Sequence, residues 1–572
     1  MKLRNAITAL LLICFSLGCT QSSSPGSPQA SRAATDEERT YIQHNTSSIA
    51  EEVKESLSLS ITEVVKESLS LSLSTYVLCG TGDVKLVAKG GKLPYQFSID
   101  KEGNGHKAAL DKNSGLFRVV SHGDSAVQFR VTDSDGKSSY SQLTLLKKDQ
   151  SLDNTFGECG SFVMPVSDIT QQSGGKMPYL EELAVDSKNR IIIAASQHNY
   201  WGEAKSFEFA RILPSGKLDP SFGNLGLTKV SLSFTDYSIN RIKGIAFDIS
   251  EKIIPLFKSQ GNVVSYGSIN FCSLSADGMW NEHFGNFRGI FTPNWRMAYD
   301  NIQYVSQHDL SDTQFVAFNF EYLFGLLKMD SSGIIDPKFG SAGYLEISDL
   351  KATFGAKTTA YSVLSSRLLD SGQIVIVGKY TVRKDGSNDL DHDILWIMKL
   401  NTDGSRVVDF GVNGLLQLSQ SDFVERAVVK SDGRILLLRN TTTNGIQFEK
   451  MDSTLTLNEL TSEGSKNKQF GNSGSISINY KTPYFPRIFL ETDLVGRSYL
   501  TVQYENELMP NDKENTIFRF SSVGKLESSK HLPASWGRIF KSLPLQDGSV
   551  LFGTGEIWGQ LNSAPILRKV SL

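Results

Sequence analysis

The chain has 572 residues, 40% of them hydrophobic, and its 58 basic and 61 acidic residues leave a formal net charge of -3. That near-balance offers no electrostatic footprint for nucleic acid, and no nucleic-acid partner is expected. Beyond the N-terminus no apolar stretch reaches the length of a transmembrane helix.

Lys2 and Arg4 form a charged start, Ala6 to Phe15 an apolar core, and Ser16-Leu17-Gly18-Cys19 an ending. Together these read as an export signal over residues 1–18, because the apolar core is too short to span a bilayer. The ending resembles the lipobox of bacterial lipoproteins. Gly18 and Cys19 match it, while Ser16 stands where Leu is commonest and Leu17 where a small residue is commonest. The resemblance implies lipidation of Cys19 and a membrane partner reached through that lipid, and Thr20 after the cysteine favours the outer membrane. Residues 19–35, rich in Ser, Pro and Ala without apolar periodicity, then read as a flexible tether.

Residues 36–75 carry a short repeat, in which the sequence from Val53 to Ser60 returns at an offset of twelve from Val65 to Ser72. An even offset keeps both copies on one face of a strand, whereas Ile49, Val53, Leu57, Ile61 and Val65 make a helical ladder. Helix and strand pair both remain open, and the apolar face would serve either oligomerisation through a stalk or packing on the next domain.

Residues 76–149 look like a compact all-β module, with apolar runs punctuated by Gly90-Gly91, Gly103-Asn104-Gly105 and Asp135-Gly136 turns. The stretches Gly90 to Ser98, Ser114 to Phe117 and Phe129 to Gly136 resemble bacterial Ig-like domains, which implies a β-sandwich acting as a spacer. Asp133 and Asp135 suit either a calcium site or, more simply, a hairpin turn. Cys79 and Cys159 flank this module, and an oxidising envelope would let them form a disulfide. Cys272 reads as a small buried side chain.

Residues 151–572 repeat one pattern. An apolar run after a polar turn begins at Ile191 and returns after 62, 62, 59, 61, 63 and 52 residues, ending at Val550. A Phe-Gly landmark travels with it at Phe156, Phe222, Phe284, Phe339, Phe410 and Phe470, but is missing after Gly524. A third landmark ends in the turns Pro214-Ser215-Gly216, Ser331-Ser332-Gly333 and Thr402-Asp403-Gly404. Together these resemble the delta-60 repeat. A four-stranded sheet of some sixty residues needs neighbours on both faces, so the array is expected to close into a seven-bladed β-propeller. Phe156 to Val166 would then supply the missing strand of the last blade. The fold class expected is all-β throughout: an Ig-like β-sandwich, then the propeller, behind a short tether and stalk.

No paired-histidine zinc motif, Gly-x-Ser-x-Gly elbow or phosphate-cradling loop is present in the array, so no catalytic residue is assigned. The loop after the apolar run holds Tyr200 and Trp201 in the first unit and Trp558 and Asn562 in the seventh. Aromatic rings beside amides suit stacking on a glycan or gripping a protein partner, and packing between blades is the bland alternative. Asp389, Asp391 and Asp393 alternate in the equivalent loop of the fourth unit and would suit calcium, but the closing Glu of an EF-hand loop is replaced by Leu400. No other cofactor is expected. The resulting expectation is an envelope lipoprotein presenting a non-catalytic propeller to a glycan or protein. An exported polysaccharide-active hydrolase or lyase and a structural component of a surface fibre are the alternatives.

Overall fold

The computed structural model describes residues 68–572 apart from 75, 103–105, 123, 166–178, 199–203, 231–236, 262–266, 286–289, 292–298, 305–312, 321–322, 342, 348–357, 384–389, 420–423, 443–450, 483–485, 504–514, 534–535, 537 and 556–564. Ser68–Leu572 forms one compact unit. Every regular element among the described residues is a β-strand.

The N-terminal module holds β1 (Ser70–Leu73), β2 (Val77–Cys79), β3 (Gly82–Lys89), β4 (Gln96–Glu102), β5 (His106–Asp111), β6 (Leu116–His122), β7 (Ser125–Thr132) and β8 (Ser138–Leu146). They form two four-stranded sheets, β1-β3-β6-β5 and β2-β8-β7-β4. Both sheets feed one core, built from Leu71, Val84, Phe97, Phe117, Phe129 and Leu143 among others. The alternation of apolar and polar residues along β3 and β6 places one set inward, as a half-buried strand requires. The end of the second VKESLSLS copy is part of this module: Leu71 and Leu73 are buried, and β1 pairs antiparallel with β3. Residues read as the end of a stalk thus supply an edge strand, because the Leu-Ser alternation has the two-residue period of a sheet. Asp133 is consumed by a turn, its carboxylate accepting the backbone N–H groups of Asp135, Lys137 and Lys92 at 3.0, 2.9 and 3.1 Å.

The array opens with β9 (Ser161–Val163). Its first two groups are β10 (Tyr179–Val185), β11 (Ile191–His198), β12 (Ala204–Ile212) and β13 (Leu227–Val230), then β14 (Tyr237–Phe247), β15 (Ile253–Gly261), β16 (Gly267–Cys272) and β17 (Ile290–Phe291). A single pairing, Ala204 with Ile239, joins these two groups into one sheet. Next come β18 (Tyr299–Tyr304), β19 (Thr313–Phe320), β20 (Leu323–Asp330) and β21 (Tyr344–Ile347), then β22 (Thr358–Leu368), β23 (Gln373–Arg383), β24 (Leu390–Asn401) and β25 (Leu415–Ser419). They are followed by β26 (Val424–Val429), β27 (Ile435–Thr442), β28 (Met451–Leu460) and β29 (Ser475–Thr482), and by β30 (Arg487–Thr492), β31 (Ser498–Gln503), β32 (Asn515–Phe520) and β33 (Leu526–Leu532). The last sheet joins β34 (Arg538–Pro544), β35 (Val550–Gly555) and β36 (Ile566–Val570) to β9, which pairs antiparallel with β36.

The apolar runs recognised in the sequence are the second strands of these sheets. They are apolar on both sides because both faces are covered: Ile193 packs toward the last sheet, beside Leu551, and Ile192 toward the second, beside Phe257. The first strands stand side by side in sequence order, β10, β14, β18, β22, β26, β30 and β34, and β34 adjoins β10.

Where it occurs, the Phe-Gly landmark latches one sheet to the next. It lies between third and fourth strands, and Phe222 packs on the turn at Gly278 of the following sheet as Phe284 does at Gly333. A β-carbon at Gly278 would lie 2.7 Å from the Phe222 ring, and the turn there has φ 83°, so two independent constraints select glycine. Backbone bonds complete the latch, with Gly223 N–H donating to Asp277 O at 2.6 Å and Gly285 N–H to Ser332 O at 2.7 Å. The landmark is missing between β32 and β33 for a topological reason. β36 and β9 of the neighbouring sheet come from opposite ends of the array, so no hairpin turn joins them there. Instead Arg519 Nη1 donates to Leu572 O at 2.6 Å, and Lys530 Nζ to Ser151 O at 2.8 Å and Ser571 O at 3.1 Å.

Candidate functional site

Residues of the first strands β10, β14, β22, β26, β30 and β34 line a cavity of about 710 Å³. Its wall has its own period. Glu182, Gly244, Ser365, Arg426, Phe489 and Lys541 each stand nine residues before the apolar run of their unit. On β10, β14, β22, β26 and β34 this position coincides with a register shift, between Leu180 and Glu182, Ile242 and Gly244, Val363 and Ser365, Val424 and Arg426, and Ile539 and Lys541. Such bulges insert an unpaired residue and re-aim the neighbouring side chain. On β30 the pairing is regular, and Phe489 stands opposite Thr501.

The four strands β26, β30, β34 and β10 adjoin in that order and present Arg426, Phe489, Lys541 and Glu182 to the cavity. Lys541 Nζ lies 2.8 Å from Glu182 Oε2, an ion pair between the last sheet and the first. Glu491, two residues beyond Phe489 and therefore on the same face of β30, also lines the cavity. Burial pushes its carboxyl up to about 7, with Lys541 and Arg426 opposing that shift and Glu182 adding to it. Burial alone would lower the Lys541 ammonium, but Glu182, Glu491 and Glu181 hold it above its ordinary value. Arg426 is exposed in this row. The site thus offers cations, a carboxyl able to donate or accept near neutral pH, and an aromatic surface within one wall.

A second constellation lies where the N-terminal module meets the closing sheet. Cys79, at the end of β2, is disulfide-bonded to Cys159, two residues before β9, with Cα atoms 5.9 Å apart. Leu146, Cys159 and Ile566 form a small core there with Val77 and Val163. Arg568 of β36, 1% exposed, reaches Asp124 of the module at 3.4 Å, and Asp124 also accepts the Lys147 N–H at 2.7 Å. Burial lowers the Arg568 pKa and the facing carboxylates Asp124 and Asp149 oppose that shift. Lys569 bridges Asp153 at 3.1 Å and Asp547 at 2.9 Å, tying the entry of the array to the β34–β35 turn.

Cys19, Tyr200, Trp201, Asp389, Trp558 and Asn562 lie outside the described residues, as does most of the stretch read as a stalk. Tyr200 and Trp201 fall in sequence between β11 and β12, and Trp558 and Asn562 between β35 and β36. Asp391 and Asp393 fall within β24, where Asp393 pairs with Thr381. Among the described residues no group of His, Cys, Asp and Glu is arranged to hold a metal ion. Cys272 is buried and burial pushes its thiol well up, so it is an unreactive core residue. Sequence reasoning missed the cavity row, although its fixed nine-residue offset is visible in the chain.

A family model described as a domain of unknown function (DUF5122), a β-propeller, matches residues 189–222, from the β10–β11 turn to the Phe222 landmark. The array is a β-propeller domain. Among solved structures, the chain is similar to the β-propeller domain of the trilobed protease from Pyrococcus furiosus at 11% identity and a TM-score of 0.37, over 69% of this chain and 94% of that one. It is similar to a prolyl endopeptidase at 9% identity and a TM-score of 0.34, over 81% of this chain and 55% of that one. A mutant of the Synechocystis apocarotenoid oxygenase aligns at 9% identity and a TM-score of 0.32, over 71% of this chain and 84% of that one. Likeness at this level transfers no site residue to the propeller. Comparison with curated protein sequences gives no match.

Proposed function

We propose that this chain is an exported, lipid-anchored envelope protein whose propeller binds a glycan without turning it over. In this reading the propeller has seven blades, the last completed by β9, and stands on an Ig-like module behind the tether. The observation that carries the binding role is the cavity wall formed by Arg426, Phe489, Glu491, Lys541 and Glu182, a mixed polar and aromatic lining in a cavity of ligand size. The adjacency of β34 to β10 supports ring closure, and the Cys79–Cys159 bridge supports an oxidising compartment. Tyr200, Trp201, Trp558 and Asn562 are proposed as contacts from two neighbouring blades, Cys19 as the lipid attachment site, and the 36–75 stretch as an assembly element. Calcium at Asp389, Asp391 and Asp393 is the one metal site retained in the proposal.

A second reading rests on one observation: Glu491 and Glu182 line the same cavity, and Glu491 is pushed up to about 7. A carboxyl that holds its proton near neutral pH, with a second carboxyl group in the same cavity, is the pair that glycoside cleavage uses. Incubating the full chain with purified envelope polysaccharides, while measuring binding by sedimentation and products by mass spectrometry, separates the two. The binding reading expects saturable binding, no new products, and weakened binding on Trp201→Ala and Trp558→Ala substitution. Products that disappear in the Glu491→Gln variant would replace it with the hydrolase.

A further inference from the structure

Resting on the binding reading above, we infer that the ligand of the cavity is an acidic saccharide, a sugar ring carrying a carboxylate. Cationic and aromatic side chains alternate along one row of the cavity wall. Arg426, Phe489 and Lys541 occupy the same structural position on three adjoining strands, nine residues before each apolar run, and all three line the cavity. A pyranose ring has an apolar C–H face and a hydroxyl rim, so an aromatic side chain flanked by charged hydrogen-bonding groups matches it.

The flanking charges select the acid. Four carboxylates line the cavity, Glu182, Asp186, Glu491 and Asp493, beside Arg426 and Lys541 of the row. Two of those carboxylates are already held by arginines outside the lining: Asp186 by Arg190 and Asp493 by Arg497, each at 2.6 Å. Glu182 is paired with Lys541. Arg426 is the exposed guanidinium of the row, and its planar fork suits a carboxylate in bidentate fashion better than a lone hydroxyl. Phe489 beside it would carry the C–H face of the same residue. Glu491, two residues along β30, is placed to bond a hydroxyl of the ring that Phe489 carries. A volume of about 710 Å³ is in the range of sites that take a small ligand such as a short oligosaccharide.

The test is calorimetric titration of the full chain with oligosaccharides of galacturonic acid and of glucuronic acid, beside their carboxyl-reduced neutral counterparts. The inference expects uronate binding that Arg426→Ala weakens about tenfold or more, while binding of the neutral counterpart is weaker at the outset and barely changed. Phe489→Leu is expected to weaken both, and Arg426→Lys to recover only part of the loss. Melting curves of the variants confirm that they fold. Equal binding of acidic and neutral sugars, both reduced by Phe489→Leu, overturns the acidic class and leaves a saccharide-binding cavity standing. Uronate binding indifferent to Arg426 and Phe489 overturns the site. Absence of binding to any sugar overturns the inference, and the polysaccharide assay above then decides independently whether the binding role fails with it.

Discussion

The contacts between neighbouring sheets repeat one device, and the sheet that joins the two ends of the array keeps that device and adds links of other kinds. Inside the array one device is used again and again: a landmark phenylalanine seated on the next sheet's turn, as Phe222 sits at Gly278, backed by a backbone hydrogen bond. The closing sheet repeats this latch on the first sheet, Gly157 N–H donating to Ser215 O at 2.8 Å, and where β9 meets β36 it adds a disulfide, a buried Arg568–Asp124 pair and the Lys569 bridge, two of which reach into or out of the N-terminal module. A repeated hairpin carries its own latch, so each unit can be copied. The closing sheet is assembled from two distant chain segments, and holding them together needs links that no repeat supplies. The module is therefore part of the closure as well as a neighbour of it.

Breaking the closure at its charge pair should have the largest effect. Asp124→Ala leaves Arg568 buried without its carboxylate and should cost ~3–5 kcal/mol in urea unfolding. The double change Asp124→Leu with Arg568→Met should recover much of that loss. Breaking an ordinary latch is the matched control: Phe222→Ala should cost ~3 kcal/mol by opening a cavity between two sheets, without altering β9. Removing the disulfide through Cys79→Ser with Cys159→Ser should cost ~2–4 kcal/mol, since it spans 80 residues, and reductant should produce the same loss in the parent chain but not in the variant.

The cavity sharpens the comparison through pH. Glu491 has a folded-state pKa near 7, raised from 4.5, so its protonated form suits the folded state. Stability linked to it is fully present below about 4.5 and is lost as pH rises through about 7. Glu491→Gln should therefore stabilise the protein by ~1–3 kcal/mol at pH 8 and by almost nothing at pH 4, seen as converging melting temperatures on acidification. The smallest effect belongs to the substitute for the missing landmark. Lys530→Ala removes hydrogen bonds to Ser151 and Ser571 and should cost ~1 kcal/mol.

The period of the array was legible because the second strand of each unit is buried on both faces, which writes an uninterrupted apolar run such as Ile191-Ile192-Ile193. The Phe-Gly landmark was legible for the same reason: a close approach between Phe222 and Gly278 tolerates few other residues. The place of Ser70–Leu73 was not, because a short Leu-Ser alternation flanked by helix-forming Glu and Lys reads both ways until a partner strand is known. The cavity row was hidden although its spacing is regular. Its residues differ in every unit, from Glu182 to Gly244 to Phe489, and only the shared register with the neighbouring strand makes them equivalent. The aromatic pair chosen from sequence, Trp201 and Trp558, rests on composition, whereas the row at Arg426, Phe489 and Lys541 rests on register and a shared wall.

Amide hydrogen exchange of the full chain before and after reduction tests most directly whether the module clasps the array shut. Reduction is expected to speed exchange in β9 and β36 well beyond that in β23 and β27, which lie far along the chain from the junction and whose latches are intact. Equal protection of β9 and β36 with and without the disulfide, or a uniform change across all sheets, would contradict it.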